Sequence, residues 1–272
     1  MKIRILSDLH IEFFPFDIPG QPADPETVLV LAGDIGVITD KRPLQFFLQK
    51  AAAQFRAVVM VLGNHEYYRS IWPDALDELR GWAIAENVYI LEKSVVAIDD
   101  VTFLGATLWS DFEHANPLSM AYCQACINDF SLIGARPESA CQAFDQRPRP
   151  FSPAMALEDH YAARAWLATA MATMRSAGRK TVVVTHHGVA PGSINPKYIG
   201  SSTNGAFVSD LSALLIAGQP SLVIHGHVHD SVNYCLDSIE HPIPVVANPR
   251  GYTKRSDTQE NKRFDPLLTV EV

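Results

Sequence analysis

Three histidines stand at every second position in the stretch LVIHGHVH, which begins at Leu222. His225, His227 and His229 follow a short apolar run, and the whole chain contains only ten histidines. Because a strand projects alternate side chains to the same face, an extended segment would aim all three imidazoles one way. Neutral imidazole is the commonest protein ligand of metal ions. The pattern therefore predicts a metal site, to which other parts of the chain must contribute.

Further groups able to bind a metal follow four other apolar runs. These runs are KIRILSDLH from Lys2, VLVLAGDIG from Val28, VVMVLGNHE from Val58 and VVVTHHG from Val182. Continuous apolar runs of this length are typical of strands buried on both faces. In open α/β sheets, ligand sites collect beyond the carboxyl ends of the strands. The polar groups that end the five runs are Asp8, His10, Asp34, Asn64, His65, His186, His187, His227 and His229.

The chemistry of these groups narrows the choice of metal. Carboxylate, amide oxygen and imidazole together suit Mn, Fe, Zn or Ni better than Ca or Mg alone. The groups are too many for one tetrahedral ion, but they suit two ions about 3.5–4 Å apart that share a bridging carboxylate. No cysteine stands in these segments, which argues against a structural zinc site.

The elements that must position these groups alternate along the chain. Helical patterns cover residues 42–55, 70–86, 152–178 and 207–218, between or after the apolar runs. Strands that alternate with helices indicate a layered α/β domain, and later strands with hairpin-like spacing indicate mixed sheets. We interpret residues 1–272 as a single domain. Residues 110–151 lack clear periodicity and are rich in Pro and Arg near their end, which predicts an irregular lid insertion.

Composition excludes several classes of protein. The formal charge of −8 argues against general nucleic-acid binding, although bound cations would still allow a small phosphorylated substrate. No apolar run approaches the ~18–20 residues that span a bilayer. The N-terminal segment reaches Asp8 and His10 too early for a signal peptide, so we expect a cytoplasmic protein without a membrane partner. The single CxxC, Cys123 and Cys126, is expected to be an ordinary reduced pair.

The motifs D-x-H, G-D, G-N-H-E, a histidine after a later strand, and G-H-x-H occur in this order. Together they resemble the calcineurin-like metallophosphoesterase superfamily. The resemblance implies an α-β-β-α sandwich of two mixed β-sheets flanked by helices. It also implies two divalent or trivalent metal ions, with Asp34 as the bridging ligand and His65 as the histidine that protonates the leaving alkoxide or steadies the transition state. The ligands implied for the first ion are Asp8, His10 and His229, and those for the second are Asn64, His186 and His227.

The activity implied by the resemblance is hydrolysis of phosphate mono- or diesters by a water or hydroxide that the two metals activate. The GDIG segment lacks the aspartate-arginine extension of Ser/Thr protein phosphatases, which argues against that identity. The alternative is a non-catalytic scaffold that keeps the fold as an interaction surface. All seven implied ligand positions and His65 carry residues suited to these roles, which favours the enzyme over the scaffold.

Several assignments stay open at this stage. The sequence does not distinguish the monoester, diester, cyclic nucleotide and pyrophosphate classes of substrate, nor does it reveal the oligomeric state. His186 is preferred over its neighbour His187 as a ligand, and His225 is expected behind the site. Asn204 and the NPRGY segment, residues 248–252, are further candidates for the cleft, whereas Arg136, Arg147 and Arg149 are expected to be solvated loop residues.

Overall fold

Strands and helices alternate along most of the chain in the computed structural model, which describes residues 1–82, 84–136, 148–254 and 258–272. The strands in these ranges are β1 (Lys2–Leu6), β2 (Val28–Ala32), β3 (Ala57–Val61), β4 (Ile71–Trp72), β5 (Val88–Leu91), β6 (Ser94–Ile98), β7 (Val101–Ala106), β8 (Gly134–Ala135), β9 (Arg149–Pro150), β10 (Lys180–Thr185), β11 (Leu222–His225), β12 (Val232–Leu236), β13 (Ile243–Ala247) and β14 (Thr269–Glu271). The helices are α1 (Lys41–Gln54), α2 (Asp74–Arg80), α3 (Phe112–Ala115), α4 (Pro117–Cys126), α5 (Asp129–Leu132), α6 (Pro153–Ser176) and α7 (Ser212–Gly218).

Two large mixed sheets carry the apolar runs. The first has the order β14-β1-β2-β3-β5, in which only β14 is antiparallel to its neighbour. The second has the order β12-β13-β11-β10-β7-β6, with a parallel centre and an antiparallel strand at each edge. The predicted layered α/β fold with mixed sheets is confirmed.

Side chains on both faces of the central strands are buried, which is why β2, β3, β10 and β11 are almost continuously apolar. Between the sheets, Ile5 and Val30 of the first belong to the same core as Val184 and Ile224 of the second. On the outer face of the first sheet, strand residues pack with helix α1, and on the outer face of the second they pack with helices α6 and α7. The order of layers is therefore helix, sheet, sheet, helix.

The helices follow the sequence patterns, with two differences. Helix α6 begins after Ser152, whose side chain accepts a hydrogen bond from the backbone N–H of Met155, as the capping pattern predicts. Helix α2 begins later than predicted because a proline disfavours helical backbone in the residue before it, and Trp72 lies in strand β4 instead; the helix also ends earlier, at Arg80. Helix α7 is also shorter, since it begins at Ser212 and residues 207–211 are not helical.

The insertion at residues 110–151 is more regular than predicted in its described part. It contains α3, whose residues have positive φ angles and so form a left-handed turn, followed by α4 and α5. Strands β8 and β9 join β4 in a third, three-stranded sheet. Phe130 of α5 stacks on Phe151, whose ring centroid lies 5.2 Å from that of Trp72 in β4, so apolar packing anchors this segment to the rest of the chain. Residues 137–147, where the sequence is rich in Pro and Arg, lie outside the described residues.

Among the residues that the structure describes, no helix combines the length and the apolar character needed to cross a membrane.

Candidate metal centre

The carboxyl ends of β1, β2 and β3 in one sheet meet those of β10 and β11 in the other. Two groups of side chains converge there, and within each group the potential ligand atoms lie within 4.8 Å of one another. The first group is Asp8, His10, Asp34 and His229, and the second is Asp34, His186 and His227. Asn64 adjoins the second group, since its Oδ1 lies 3.0 Å from Nε2 of His186. The structure thus brings all seven predicted ligands together, and Asp34 belongs to both groups.

Left-handed backbone places most of these side chains. The φ angles are 51° at Asp8, 46° at His10, 55° at Asp34, 68° at His227 and 47° at His229. Such angles in residues other than glycine cost of order 1 kcal/mol or more each, and they persist only where surrounding contacts impose them. Here the contacts include hydrogen bonds from Asp8 N–H to the Gly33 carbonyl, 2.9 Å, and from His227 N–H to Asp8 Oδ1, 2.9 Å.

The backbone that carries the three histidines is not the single extended strand that their alternation predicts. Strand β11 ends at His225, and the two later histidines lie on the loop beyond it. Nε2 of His225 lies 2.8 Å from the Ser193 hydroxyl and its Nδ1 donates to the Gly226 carbonyl at 2.9 Å, so this ring lies behind the site. The loop, not the strand pleat, brings His227 and His229 into the two groups.

Two glycines allow the loops to approach each other closely. Gly33 has a φ of +83°, and a Cβ there would lie 2.4 Å from Nδ1 of His186. At Gly63 a Cβ would lie 2.1 Å from Asp34 Oδ1. The glycine at each position leaves the space that the side chains of Asp34 and His186 occupy.

The orientation of the imidazoles matches a cation site. Nδ1 of His186 donates to the Ala32 carbonyl at 2.9 Å, and Nδ1 of His229 donates to Glu260 Oε2 at 2.7 Å. Each Nε2 lone pair therefore faces inward, and Nε2 of His229 lies 3.0 Å from Nε2 of His10. Nε2 of His186 lies 3.4 Å from Asp34 Oδ2. Acceptor atoms this close to one another are stabilised by a shared positive charge, so the donor set fits divalent cations.

The pKa shifts reflect the same concentration of charge. Burial alone would lower the pKa of His186, but the neighbouring Asp34 carboxylate raises it to about 9. Burial also opposes ionisation of His229, whose pKa the hydrogen bonds to Asp8 and Glu260 raise to about 10. Against its burial, the His186 and His65 imidazoles hold the pKa of Asp34 well below its usual range. The imidazoles and the carboxylates therefore stabilise each other's charged forms.

His65 lies beside the two groups of ligands. Its side chain contacts Glu12 and Tyr252, and the sequence did not indicate either contact. Its Nδ1 donates to Glu12 Oε1 at 2.9 Å, and its Nε2 lies 3.1 Å from the Tyr252 hydroxyl. Glu12 Oε1 also accepts from Nδ1 of His10 at 3.4 Å. His10, Glu12 and His65 form a third group of potential ligands, but these contacts are hydrogen bonds between imidazole and carboxylate. Despite burial, Asp34 and Glu12 raise the pKa of His65.

Two buried carboxylates hold the surrounding loops. Glu66, within the GNHE motif, accepts hydrogen bonds from four backbone N–H groups, including those of Asp34 at 2.9 Å and Gly63 at 2.6 Å. Asp129, which the insertion contributes, accepts from Asn64 Nδ2 at 2.8 Å and from the Tyr68 hydroxyl at 2.7 Å. Because Nδ2 of Asn64 is held by Asp129, Oδ1 of Asn64 faces His186. Glu66 could be noticed from the sequence because it belongs to the GNHE motif, whereas no sequence pattern indicates that Asp129 contacts the site.

The remaining candidates lie around the site or away from it. His187 is buried against the His227 ring, with centroids 4.2 Å apart, and neither it nor His225 belongs to the ligand groups found among the described residues. Arg136 pairs with Asp74 at 2.7 Å, and Arg149 is exposed. Arg147 lies outside the described residues. In the NPRGY segment, buried Arg250 donates to the carbonyls of Leu9 and Phe14 rather than facing the cleft.

A cleft of about 340 Å³ opens over the two groups. Its floor includes Asp34, Asn64, His227 and His229, with His65 and Tyr252 at one side. Residues 126–129 form one wall, and residues drawn from 193–208 form another. Asn204 lies in this second wall, as the sequence suggested. The ligand groups are thus accessible to a molecule of moderate size.

A family model described as calcineurin-like phosphoesterase matches residues 1–231. The chain belongs to this family. An uncharacterized protein of Acanthamoeba polyphaga mimivirus is 26% identical over 299 residues, which cover 99% of this chain and 96% of the viral protein. The solved structure of Phosphopantetheinyl Hydrolase from Mycobacterium tuberculosis is similar with a TM-score of 0.64 and 18% identity, over 92% of this chain and 89% of that one. A dimetal phosphatase from Danio rerio has a TM-score of 0.46 and 14% identity, over 90% and 86%.

Membership of the calcineurin-like phosphoesterases supports a metal-dependent hydrolase of phosphoesters in general. The family uses divalent metals and acts on phosphorylated substrates, which agrees with the candidate ligand groups and the open cleft. The likeness to the mycobacterial structure confirms the fold.

Proposed function

We propose that this chain is a dinuclear metal-dependent phosphoesterase that hydrolyses phosphate mono- or diesters. The observation that carries the proposal is that Asp34 belongs to both ligand groups. A carboxylate with two oxygens can bridge two cations, as two-metal hydrolytic sites require. One ion, of Mn, Fe, Zn or Ni, would be held by Asp8, His10, Asp34 and His229. The other would be held by Asp34, Asn64, His186 and His227.

Bound divalent ions supply a Lewis acid for the phosphate and lower the pKa of a bound water to about 7. The chain itself supplies the acid. His65 is the only imidazole of the described cleft lining outside the ligand set, and its Nε2 is the atom that would deliver a proton to the leaving oxygen. Glu12 fixes the ring by accepting from Nδ1, so that the proton of the acid form is held at Nε2. The Tyr252 hydroxyl contacts the same Nε2, and Tyr252 itself lines the cleft.

Asp129 and Glu66 act as positioning residues in this scheme. Asp129 keeps the amide oxygen of Asn64 directed inward. Glu66 ties the loop that carries Asp34 to the loop that carries Asn64, through backbone N–H groups of both. Such outer contacts are worth about 10–100-fold in metal affinity or activity in other metalloenzymes.

The test compares metal content and hydrolysis of an aryl phosphate in wild-type protein, Asp34→Asn and the exposed control Asp237→Asn. Wild type and control should bind two ions per chain and hydrolyse the substrate with added Mn²⁺. Asp34→Asn should lose at least about a hundredfold in rate, since loss of a ligand exceeds loss of an outer contact. Full activity in metal-stripped wild type or in Asp34→Asn would overturn the proposal. A non-catalytic scaffold, the alternative function, would bind no stoichiometric pair of metals.

A further inference from the structure

The charges in the cleft are unusual for a phosphate site. Among the described residues that line it, none is a lysine or an arginine. Beyond the proposed metal ligands, the carboxylates in the lining are Asp129 and Glu260, and each already accepts a hydrogen bond from a protein side chain. Lys197, beside the second wall, holds its ammonium 4.6 Å from the centre of the Tyr198 ring and does not line the cleft.

Mono- and diesters of phosphate make different demands on such a lining. A monoester carries about 1.5–2 negative charges at neutral pH, because its second pKa is about 6. Proteins commonly hold these oxygens with arginine or lysine. A diester carries one charge, and an uncharged ester arm takes the place of one terminal oxygen. The diester therefore needs fewer cations and more neutral surface around the phosphorus.

The described walls supply neutral surface of this kind. Their apolar members are Ile127 in one wall and Ile194, Tyr198, Phe207 and Val208 in the other. The Phe207 ring stacks on His227 at 4.5 Å and 24°, so an apolar face directly adjoins one ligand group. The polar members include the uncharged amides of Asn128, Asn195 and Asn204. The cleft volume lies near the lower end of the range of about 300–1,000 Å³ typical of small-molecule sites.

We infer that the preferred substrate is a phosphodiester whose retained ester arm is uncharged and largely apolar, and that phosphomonoesters are poor substrates. The inference rests on the proposed phosphoesterase function and narrows it. The retained arm lies against the wall formed by Ile194, Tyr198, Phe207 and Val208. The oxygens that remain charged face the floor of the cleft.

The first experiment uses three substrates with one leaving group, so that differences in rate report the rest of the molecule. They are p-nitrophenyl phosphate, methyl p-nitrophenyl phosphate and phenyl p-nitrophenyl phosphate, assayed with metal-loaded protein. The expected order of kcat/KM is phenyl diester, then methyl diester, then monoester. The phenyl diester should exceed the monoester by at least about tenfold, which corresponds to about 1.4 kcal/mol.

The second experiment adds a charge to the cleft. Asn128 is exposed in the first wall, so Asn128→Arg places a guanidinium there without displacing a buried group. This variant should raise kcat/KM for the monoester relative to the phenyl diester by roughly tenfold, the size of one charge-assisted hydrogen bond. The control is Gln124→Arg, which adds the same charge at an exposed position of α4 outside the cleft lining and should leave the ratio unchanged.

Binding is measured separately by calorimetric titration with two unreactive anions. Diphenylphosphinate, a monoanion with two aromatic arms, should bind more tightly than the phenylphosphonate dianion. Tighter binding of the dianion, or a higher kcat/KM for the monoester than for both diesters, would refute the inference and leave the proposed function standing. Hydrolysis of none of the three substrates by protein with two bound ions would instead refute the proposed function.

Discussion

Replacing Gly63 by alanine tests how tightly the two ligand groups depend on close loop packing. A Cβ at this position would lie 2.1 Å from Asp34 Oδ1 and 2.7 Å from Cε1 of His186, whereas real Cβ contacts essentially never fall below 3.0 Å. The Asp34 carboxylate must then move by about 0.9 Å or the loops must separate. Gly63 does not have a positive φ angle, so the effect of Gly63→Ala is steric rather than conformational.

The expected size of the effect follows from this displacement. A misplacement of about 1 Å in a catalytic constellation can reduce the rate by about a hundredfold. Overpacking of a buried site costs about 1–3 kcal/mol of the free energy of unfolding. We therefore expect Gly63→Ala to remain folded, to bind less metal per chain and to lose about a hundredfold in kcat. Metal content, turnover of an aryl diester and denaturant unfolding measure the three quantities.

The matched control is Gly20→Ala, since no described heavy atom lies within 4 Å of a Cβ built at Gly20. This variant should keep its metal content and its rate, and its stability should be unchanged or slightly higher, because alanine restricts the unfolded chain. If Gly63→Ala retained the metal content and turnover of the Gly20→Ala variant, the argument that Asp34 requires this space would be wrong.

Two further predictions concern the surroundings of the ligand groups. Asp129→Ala should lower metal affinity by about 10–100-fold in a metal titration, because Asn64 loses its orienting acceptor. Asp129→Asn keeps an acceptor oxygen and should lose less metal affinity. Equal affinities for the two variants would contradict the positioning role of Asp129. In metal-free protein, the pKa values of His186 and His229 are raised to about 9 and about 10, so their contribution to stability is complete below the usual pKa of about 6.5 and is lost as the pH rises toward these values. In denaturant unfolding, the free energy of unfolding should fall by about 1 kcal/mol per pH unit for each group over this interval, and added Mn²⁺, which displaces the protons, should abolish the fall.

Much of the candidate site could be predicted because its positions follow from strand ends. Asp8, Asp34 and His186 each come within two residues of the end of a buried strand, and parallel strands bring such positions to one edge. The fold followed from the same alternation of runs and helical patterns. Short-range rules of this kind require no knowledge of how distant loops pack.

The unpredicted parts depend on contacts between distant segments. Asp129 holds Asn64 from 65 residues away, and Glu260 holds His229 from 31 residues away. Nothing local in the sequence distinguishes these acids from solvated ones. Strand alternation does not align the three histidines, because β11 ends at His225 and the loop that carries His227 and His229 takes left-handed angles that the sequence pattern does not specify.

The distribution of the ligand groups over the two sheets has a mechanical consequence. Asp8, His10 and Asp34 follow strands of the first sheet, while His186, His227 and His229 follow strands of the second. Each bound ion would therefore have ligands from both sheets and would cross-link one sheet of the sandwich to the other. Ligands that bind only the folded state stabilise it by mass action. Metal binding should consequently stabilise the packing of the two sheets against each other far more than it stabilises the outer helices against fraying.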